Sequence, residues 1–115
     1  MVSQFEIAVF EGDGIGPEIT RPTLDILNAL ATDAGDYGFT FVSAAAGAAH
    51  YAKTGEALPA ASMKIARRSD AILLSAMGLP SVRYADGTEI SPQIEIRKAL
   101  DLYAGVRPVR ILPGQ

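Results

Sequence analysis

Short apolar runs along the chain alternate with longer segments in which apolar residues recur every three or four positions. Runs rich in β-branched and aromatic residues are typical of strands, and a spacing of three to four is typical of helices. The pattern predicts strands near residues 5–10, 39–43, 71–76 and 106–112. It predicts helices near residues 17–34, 60–69 and 91–103, and a small-residue loop over 44–52 that leads into one short helix. Strands that alternate with helices indicate an α/β fold, with a parallel-dominated sheet flanked by helices.

Two details of the pattern carry more specific predictions. The run from Ala71 to Leu74 contains only apolar residues, which is typical of an interior strand buried on both faces. Ser91 is followed by Pro92, the order expected when a serine caps a helix and a proline takes its first position. The helix that they begin is expected to reach about Tyr103.

The composition excludes several classes of protein. The 115 residues suffice for one compact domain, and 49% hydrophobic with 20% charged residues is an ordinary globular balance. A net charge of -3 argues against a nucleic-acid surface, and the lack of cysteine excludes a disulfide scaffold or a zinc-thiolate site. The sequence contains neither a signal-peptide pattern nor an apolar run of the roughly 20 residues that span a bilayer. We expect a cytoplasmic protein with no membrane or nucleic-acid partner.

A glycine-rich turn, GDGIG at residues 12–16, lies between the first predicted strand and helix. The dinucleotide fingerprint G-x-G-x-x-G occupies the same place in other α/β proteins, but here Pro17 stands at its third glycine position. The fingerprint is therefore not met. Two interpretations stay open: the glycines serve a ligand, or they only allow positive φ angles at a tight strand-to-helix turn.

Three segments resemble the isocitrate and isopropylmalate dehydrogenase family, the β-decarboxylating dehydrogenases. The string GDGIGPE at 12–18 is similar to the family's opening signature, and IEIRKALDLYAGVRPVR at 94–110 is similar to its arginine-bearing helix and the strand after it. A shorter likeness covers residues 73–80. The resemblance runs over residues 8–114, implies an isopropylmalate dehydrogenase-like fold that is not a Rossmann fold, and makes residues 1–115 the N-terminal part of the first domain of a longer two-domain dehydrogenase.

Two arginines in the second segment are candidates for binding substrate carboxylates. A planar guanidinium can hold a carboxylate through two charge-assisted hydrogen bonds, so two arginines in one pocket can clamp a small di- or tricarboxylic acid. Arg97 and Arg107 match the family's arginines for the malate-like carboxylates. Alternatively, Arg97 makes an exposed helix contact with Gln93 or Asp101, four residues away on either side, worth about 0.2–0.5 kcal/mol.

The same resemblance implies that the first turn of this helix faces the substituent that distinguishes one acid from another. The sequence there reads ISPQI at 90–94, which matches neither the leucine-rich isopropylmalate pattern nor the isocitrate pattern. Ser91 and Gln93 are polar candidates for substrate binding, and Ile94 with Ile90 offers an apolar wall. We therefore expect a substrate choice outside strict isopropylmalate specificity.

The nicotinamide cofactor is expected, by resemblance, to contact Ile15 and Gly78. The second contact lies in a loop that is often rich in glycine in the family, and this chain departs from that pattern with Ser75 and Leu79. His50, the only histidine, has no partner at a metal-ligand spacing and is expected to be a surface or half-buried residue.

For the whole protein the resemblance implies a homodimeric, metal-dependent enzyme that uses NAD, or NADP, with Mg²⁺ or Mn²⁺. Its substrate would be isopropylmalate, isocitrate, homoisocitrate, tartrate or D-malate, which it would oxidise and decarboxylate. The family's catalytic tyrosine, lysine and metal-binding aspartates lie further along, so we expect no catalytic residue and no metal ligand in this segment, and no activity from the 115 residues alone. The alternative is a truncated, non-catalytic module that binds an acid.

Overall fold

The computed structural model describes residues 2–114 of the chain. Its elements, in chain order, are β1 (Ser3–Phe10), α1 (Gly16–Ala34), β2 (Tyr37–Ser43), α2 (Ala48–Thr54), α3 (Ala60–Arg68), β3 (Ala71–Leu74) and α4 (Pro92–Ala99). The three strands form one parallel sheet in the order β2-β1-β3. The predicted α/β class with a parallel sheet is confirmed, as are the strands near 5–10, 39–43 and 71–76.

β1 is the central strand, since β2 and β3 each pair with it along one side. Ala8 lies opposite Val42 on one neighbour and Ile72 on the other, and Phe10 lies opposite Leu74. Side chains paired across parallel strands project to the same face of the sheet. The face of Ala8 and Phe10 therefore carries one apolar cluster.

Helices α3 and α4 cover this face of the sheet. Ala66 of α3 and Ile96 of α4 are buried in one cluster with Ala8 and Phe10. Met63 and other half-buried residues of the same cluster extend it along α3. Helix α1 lies against β2. The last four residues of β1 are buried because strands flank them on both sides and helices cover them.

Aromatic side chains line the other face of the β1–β2 pair. Phe5 lies opposite Phe39 in the register, and their ring centroids are 6.5 Å apart. Along β2 the ring of Phe39 is 5.4 Å from Tyr37 and 5.8 Å from Phe41, which are alternate residues of one strand. Spacings in this range are the favourable ones for aromatic pairs. The contact between Phe5 and Phe39 crosses from β1 to β2 and supports their register.

The predicted strand at 106–112 is wrong. Residues 102–114 form neither helix nor strand and are exposed to solvent. The apolar residues Val106, Val109 and Ile111 are among the most exposed of the described chain. A strand needs a neighbouring backbone for its N–H and C=O groups. Both sides of β1 are already paired, and this segment does not pair with the outer edge of β2 or β3.

The predicted end of α4 near Tyr103 is also wrong, because the helix ends at Ala99. Asp101 adopts a left-handed conformation with φ of 53°. Its N–H bonds the carbonyl of Lys98, and the N–H of Leu102 bonds the carbonyl of Arg97. This pair of bonds around a left-handed residue is the Schellman arrangement that terminates helices.

The prediction that residues 71–74 form an interior strand buried on both faces is wrong. β3 lies at an edge of the sheet, where only the side facing β1 is paired. Ala71 is exposed, and Ile72, Leu73 and Leu74 are half-buried. An entirely apolar strand is typical of a sheet covered on both faces. Within the described residues that cover is incomplete.

We expect Phe10→Ala to lower the free energy of unfolding of the full-length protein by about 3–5 kcal/mol, because the substitution leaves a cavity in the core. Phe10 is 0% exposed. The matched control is Phe5→Ala at the other end of β1, where the ring is 42% exposed and the loss should be much smaller. Denaturant unfolding measures both. Equal losses would contradict the placement of the core.

Candidate functional site

A cleft of about 240 Å³ lies between the loop after β3 and the first turn of α4. Three residues selected from the sequence line it together: Gly78, Ser91 and Gln93. Leu79 and Ile90 supply apolar walls. The structure thus brings a residue expected to contact the cofactor to the same cleft as two residues expected to choose the substrate.

The start of α4 is fixed by buried residues before and after Ser91. Pro92, the first helical residue, is fully buried, as are Ile90 before it and Ile96 one turn later. Ser91 occupies the N-cap position, as its sequence predicts, but its side chain makes no capping hydrogen bond. Its hydroxyl is therefore not committed to the helix and is available at the cleft wall.

Gln93 carries an unsatisfied polar atom at this cleft. Its Oε1 is buried and has no hydrogen-bond partner among the described residues. A buried acceptor without a donor costs about 1–3 kcal/mol. That cost would be removed if the side chain turned its oxygen towards a hydrogen-bond donor in the cleft, so Gln93 favours a polar neighbour over a purely apolar one.

A hairpin from residue 79 to residue 89 borders the cleft, held by bridges between Leu79 and Val82 and between Arg83 and Glu89. Tyr84 of this hairpin meets the ring of Tyr51 edge to face at 5.1 Å. Partial burial, and after it the Glu95 carboxylate, raise the pKa of Tyr84. At the tip of the hairpin, hydrogen bonds from Thr88 lower the pKa of Asp86. Its carboxylate accepts the Thr88 N–H at 2.9 Å, which closes the turn.

The glycine turn approaches the loop after β3 so closely that two glycines have a structural role. A Cβ at Gly12, whose φ is 72°, would lie 1.9 Å from the carbonyl oxygen of Ala76. A Cβ at Gly16 would lie 2.0 Å from the carbonyl oxygen of Glu11. Ile15, the N-cap residue of α1, is 62% exposed, so its side chain is accessible to a ligand.

Asp13 is the residue of this turn that sequence reasoning missed. Its carboxylate, 2% exposed, accepts backbone N–H groups from Ala48 and Ala49 at 2.8 Å and from Gly78 at 2.7 Å. The sequence gives one signal, an acidic residue between two glycines in a turn, where a buried carboxylate can reach backbone donors. The donors themselves are far away in sequence and carry no recognisable motif.

The two departures from the family's glycine pattern have local explanations. The hydroxyl of Ser75 donates to the carbonyl of Gly16 at 3.1 Å and ties the loop to the first turn of α1. The side chain of Leu79 packs with the buried residues Ala48 and Ile90. Both side chains thus stabilise the loop that carries Gly78.

Arg97 and Ile94 line a second, open groove of about 410 Å³ at the end of α4, together with Tyr103. Arg107 lies in the exposed segment after α4 and is not part of this lining. The ion pairs between described residues join Arg68 to Glu6 and Arg83 to Glu89, and neither includes Arg97. The convergence of Arg97 and Arg107 on one acid stays a prediction.

Other candidate chemistry is sparse over the described range. His50 is half-buried and lines a third cleft with Glu11 and Lys53. Across residues 2–114, no three His, Cys, Asp or Glu side chains are grouped so that they could hold a metal ion. No helix in that same range has the length and apolar character needed to cross a membrane.

The chain is similar to known proteins in fold and in sequence. A β-decarboxylating dehydrogenase from Thermococcus kodakarensis, solved in its apo form, superposes with a TM-score of 0.63 at 27% identity, over 86% of this chain and 27% of that one. The fold is therefore that of a β-decarboxylating dehydrogenase.

Sequence comparison defines the family. The 3-isopropylmalate dehydrogenase of Thermosynechococcus vestitus is 40% identical over 98% of this chain and 32% of its own length. That of Thiobacillus denitrificans is 39% identical over 94% of this chain and 31% of its own. The sequence model described as isocitrate/isopropylmalate dehydrogenase matches residues 6–115. The chain belongs to this family, and it spans about a third of the length of the curated relatives it matches.

We expect Gly12→Ala to destabilise the full-length protein far more than Gly35→Ala. The two glycines have nearly equal φ angles, 72° and 74°, so both variants carry the left-handed backbone cost of about 1–2 kcal/mol. A Cβ at Gly35 meets nothing within 4 Å, whereas one at Gly12 collides with Ala76. The difference between the two unfolding free energies isolates this collision. Equal values would show that the close approach is not required.

Proposed function

We propose that the protein containing this chain is a β-decarboxylating dehydrogenase that oxidises a malate-type 2-hydroxy acid with NAD as acceptor. In this proposal residues 1–115 are the N-terminal part of the first domain of a longer two-domain enzyme. The observation that carries it is the cleft that gathers Gly78, Ser91 and Gln93, in a chain of this family. Arg97 lies about one turn further along α4.

The acid is held through its carboxylates in this proposal. The Arg97 guanidinium is exposed, faces an open groove and has Ile94 and Lys98 beside it. A bidentate arginine contact fixes both the position and the orientation of a carboxylate, which a lysine ammonium does not. Arg107 would supply the second contact once the segment after α4 is drawn towards the groove. Ser91 and Gln93 would contact the third substituent of the acid.

The cofactor contacts are assigned to Ile15 and Gly78. Both residues are exposed, and Gly78 has a φ of 102°, which leaves an open backbone surface at the cleft. NAD, or NADP in its place, would accept the hydride when bound. A ligand lying between these two residues would be adjacent to the acid at Ser91 and Gln93.

In the proposed reaction the acid is first oxidised and then decarboxylated. The carbon that bears the hydroxyl loses a hydride to the acceptor and the hydroxyl loses its proton, which gives a 2-oxo acid. The carboxylate β to the new carbonyl then leaves as CO₂, and the resulting enol takes up a proton at carbon. The described residues position the acid for both steps and contribute no acid–base pair.

A divalent metal does not fit the residues in hand. No acidic cluster among residues 2–114 could hold Mg²⁺ or Mn²⁺, so no step is assigned to a metal within this chain. In the proposed metal-dependent enzyme the metal ligands lie elsewhere in the protein.

Because the metal ligands lie elsewhere, the 115 residues alone are expected to bind an acid without turnover. The alternative of a truncated acid-binding module predicts the same behaviour. A homodimeric state and a cytoplasmic location remain further parts of the proposal.

We expect the full-length protein to reduce NAD⁺ with a malate-type acid in the presence of Mn²⁺. In the same assay we expect Arg97→Lys to lower kcat/KM for the acid by about 10- to 100-fold. The loss corresponds to one charge-assisted hydrogen bond of about 1.5–3 kcal/mol, because lysine keeps the charge but not the fork. Arg67→Lys, on the exposed end of α3, is the matched control. No turnover with any of the candidate acids would favour the binding module, and unchanged kinetics in Arg97→Lys would refute the arginine assignment.

The choice of acid is the finer part of the proposal. The relatives named above are 3-isopropylmalate dehydrogenases, which favours isopropylmalate. The unsatisfied amide oxygen of Gln93 favours an acid whose third substituent is polar, as in isocitrate, homoisocitrate or tartrate. We propose that the polar contact decides, so that the protein is not strictly specific for isopropylmalate.

We expect Gln93→Leu to change the ratio of the kcat/KM values for isopropylmalate and isocitrate by roughly 5- to 100-fold in favour of isopropylmalate. An unpaired amide against an apolar substituent costs about 1–3 kcal/mol, and leucine removes that cost for isopropylmalate only. Gln4→Leu, at the exposed start of β1, should leave the ratio unchanged. The measurement is a steady-state assay with isopropylmalate, isocitrate, homoisocitrate, tartrate and D-malate. A wild-type preference for isopropylmalate alone would show that the first turn of α4 is misassigned.

A further inference from the structure

The buried carboxylate of Asp13 joins the start of α2 to the loop after β3. Its Oδ2 accepts the N–H of Ala48, the first residue of α2, and the N–H of Gly78 in the loop after β3. Its Oδ1 accepts the N–H of Ala49. Hydrogen bonds from N–H groups to an ionised carboxylate are about twice as strong as neutral ones. Three of them compensate the burial of the charge.

The backbone of Asp13 is held as firmly as its side chain. Its N–H donates to the carbonyl of Ala76 at 2.7 Å, and its own carbonyl accepts the N–H of Gly16 at 2.8 Å. Gly47 closes the remaining side, since a Cβ there would lie 2.6 Å from either carboxylate oxygen. Asp13 therefore cannot shift without moving the loop from Ala76 to Gly78.

The position of Gly78 matters because it lines the same cleft as Ser91 and Gln93. Gly78 is exposed, so its backbone faces the cleft while its N–H is turned inward to Asp13. The exposed loop would otherwise be free to adopt other φ and ψ values, which glycine permits. One inward hydrogen bond thus selects the conformation in which this loop forms the cleft wall.

We propose that Asp13 is a positioning residue for the dinucleotide: it does not touch the ligand but holds Gly78 where the ligand binds. This inference rests on the proposed function, which assigns the cofactor contact to Gly78. Asp13 itself is enclosed by backbone and is only 2% exposed. The side chain of Asp13 acts on the cleft loop through the Gly78 N–H and on the start of α2 through the N–H groups of Ala48 and Ala49.

The test uses Asp13→Asn in the full-length protein. The amide has the size of the carboxylate but only one acceptor atom, so its NH₂ group must face either Ala49 or the pair Ala48 and Gly78. In either orientation the Gly78 N–H loses its charge-assisted bond, because it then faces a neutral amide oxygen or the NH₂ group. We expect KM and Kd for NAD⁺ to rise about tenfold, with a smaller change in kcat. Asp36→Asn, on the exposed turn before β2, is the matched control.

A second variant and a measurement on the wild type keep the proposal testable if Asp13→Asn does not fold. Gly47→Ala presses on the same carboxylate from the opposite side and should raise KM for NAD⁺ in the same direction. In the wild type the amide of Gly78 should exchange with deuterium as slowly as that of Ala48, and much more slowly than that of Ala85 in the exposed hairpin. Fast exchange at Gly78 would overturn the proposal without any variant.

These measurements distinguish a failure of the Asp13 proposal from a failure of the proposed function. A merely structural Asp13 would lower the melting temperature of the variant and leave KM and Kd for NAD⁺ unchanged, which overturns the positioning role. Wild-type protein that binds NAD⁺ without turnover contradicts the dehydrogenase activity, while the Asp13 proposal is still decided by the Kd of the variant. Wild-type protein that binds no dinucleotide refutes both.

Discussion

The close approach of the Ala76 carbonyl to the turn after β1 is the constraint on which the rest of the site depends. It leaves no room for a side chain at Gly12, and it brings the loop after β3 within reach of Asp13. The N–H of Asp13 bonds that carbonyl, and its carboxylate then binds Gly78. The position of the cleft wall therefore depends on the turn, through one backbone contact and one buried carboxylate.

Much of the fold could be predicted because its signals are local. The apolar runs at β1, β2 and β3 are visible in consecutive residues, and a strand–helix alternation leaves few arrangements other than a parallel sheet. The residues of the candidate site could be predicted for a different reason. Gly78 lies in a segment similar to the family's, and Ser91 and Gln93 directly precede another such segment, so all three could be selected by position before their shared cleft was known.

The remaining features depend on partners distant in sequence. The apolar pattern of residues 106–112 shows what could pair in a sheet, but not whether a free edge lies alongside. The early end of α4 requires Asp101 to take a positive φ, which few residues other than glycine do. The donors to Asp13 lie 35, 36 and 65 positions away, so the sequence pattern around Asp13 could not reveal them.

The mutual dependence of the glycine turn and the loop after β3 has a consequence for recombining this protein with its relatives. A chimera whose crossover falls between residues 16 and 76 would combine a turn from one parent with a loop from another. The backbones of the two segments are in direct contact at Gly12 and Ala76. A small change in the position of either backbone would therefore produce a steric clash. Segments 11–16 and 75–78 should therefore be inherited from the same parent.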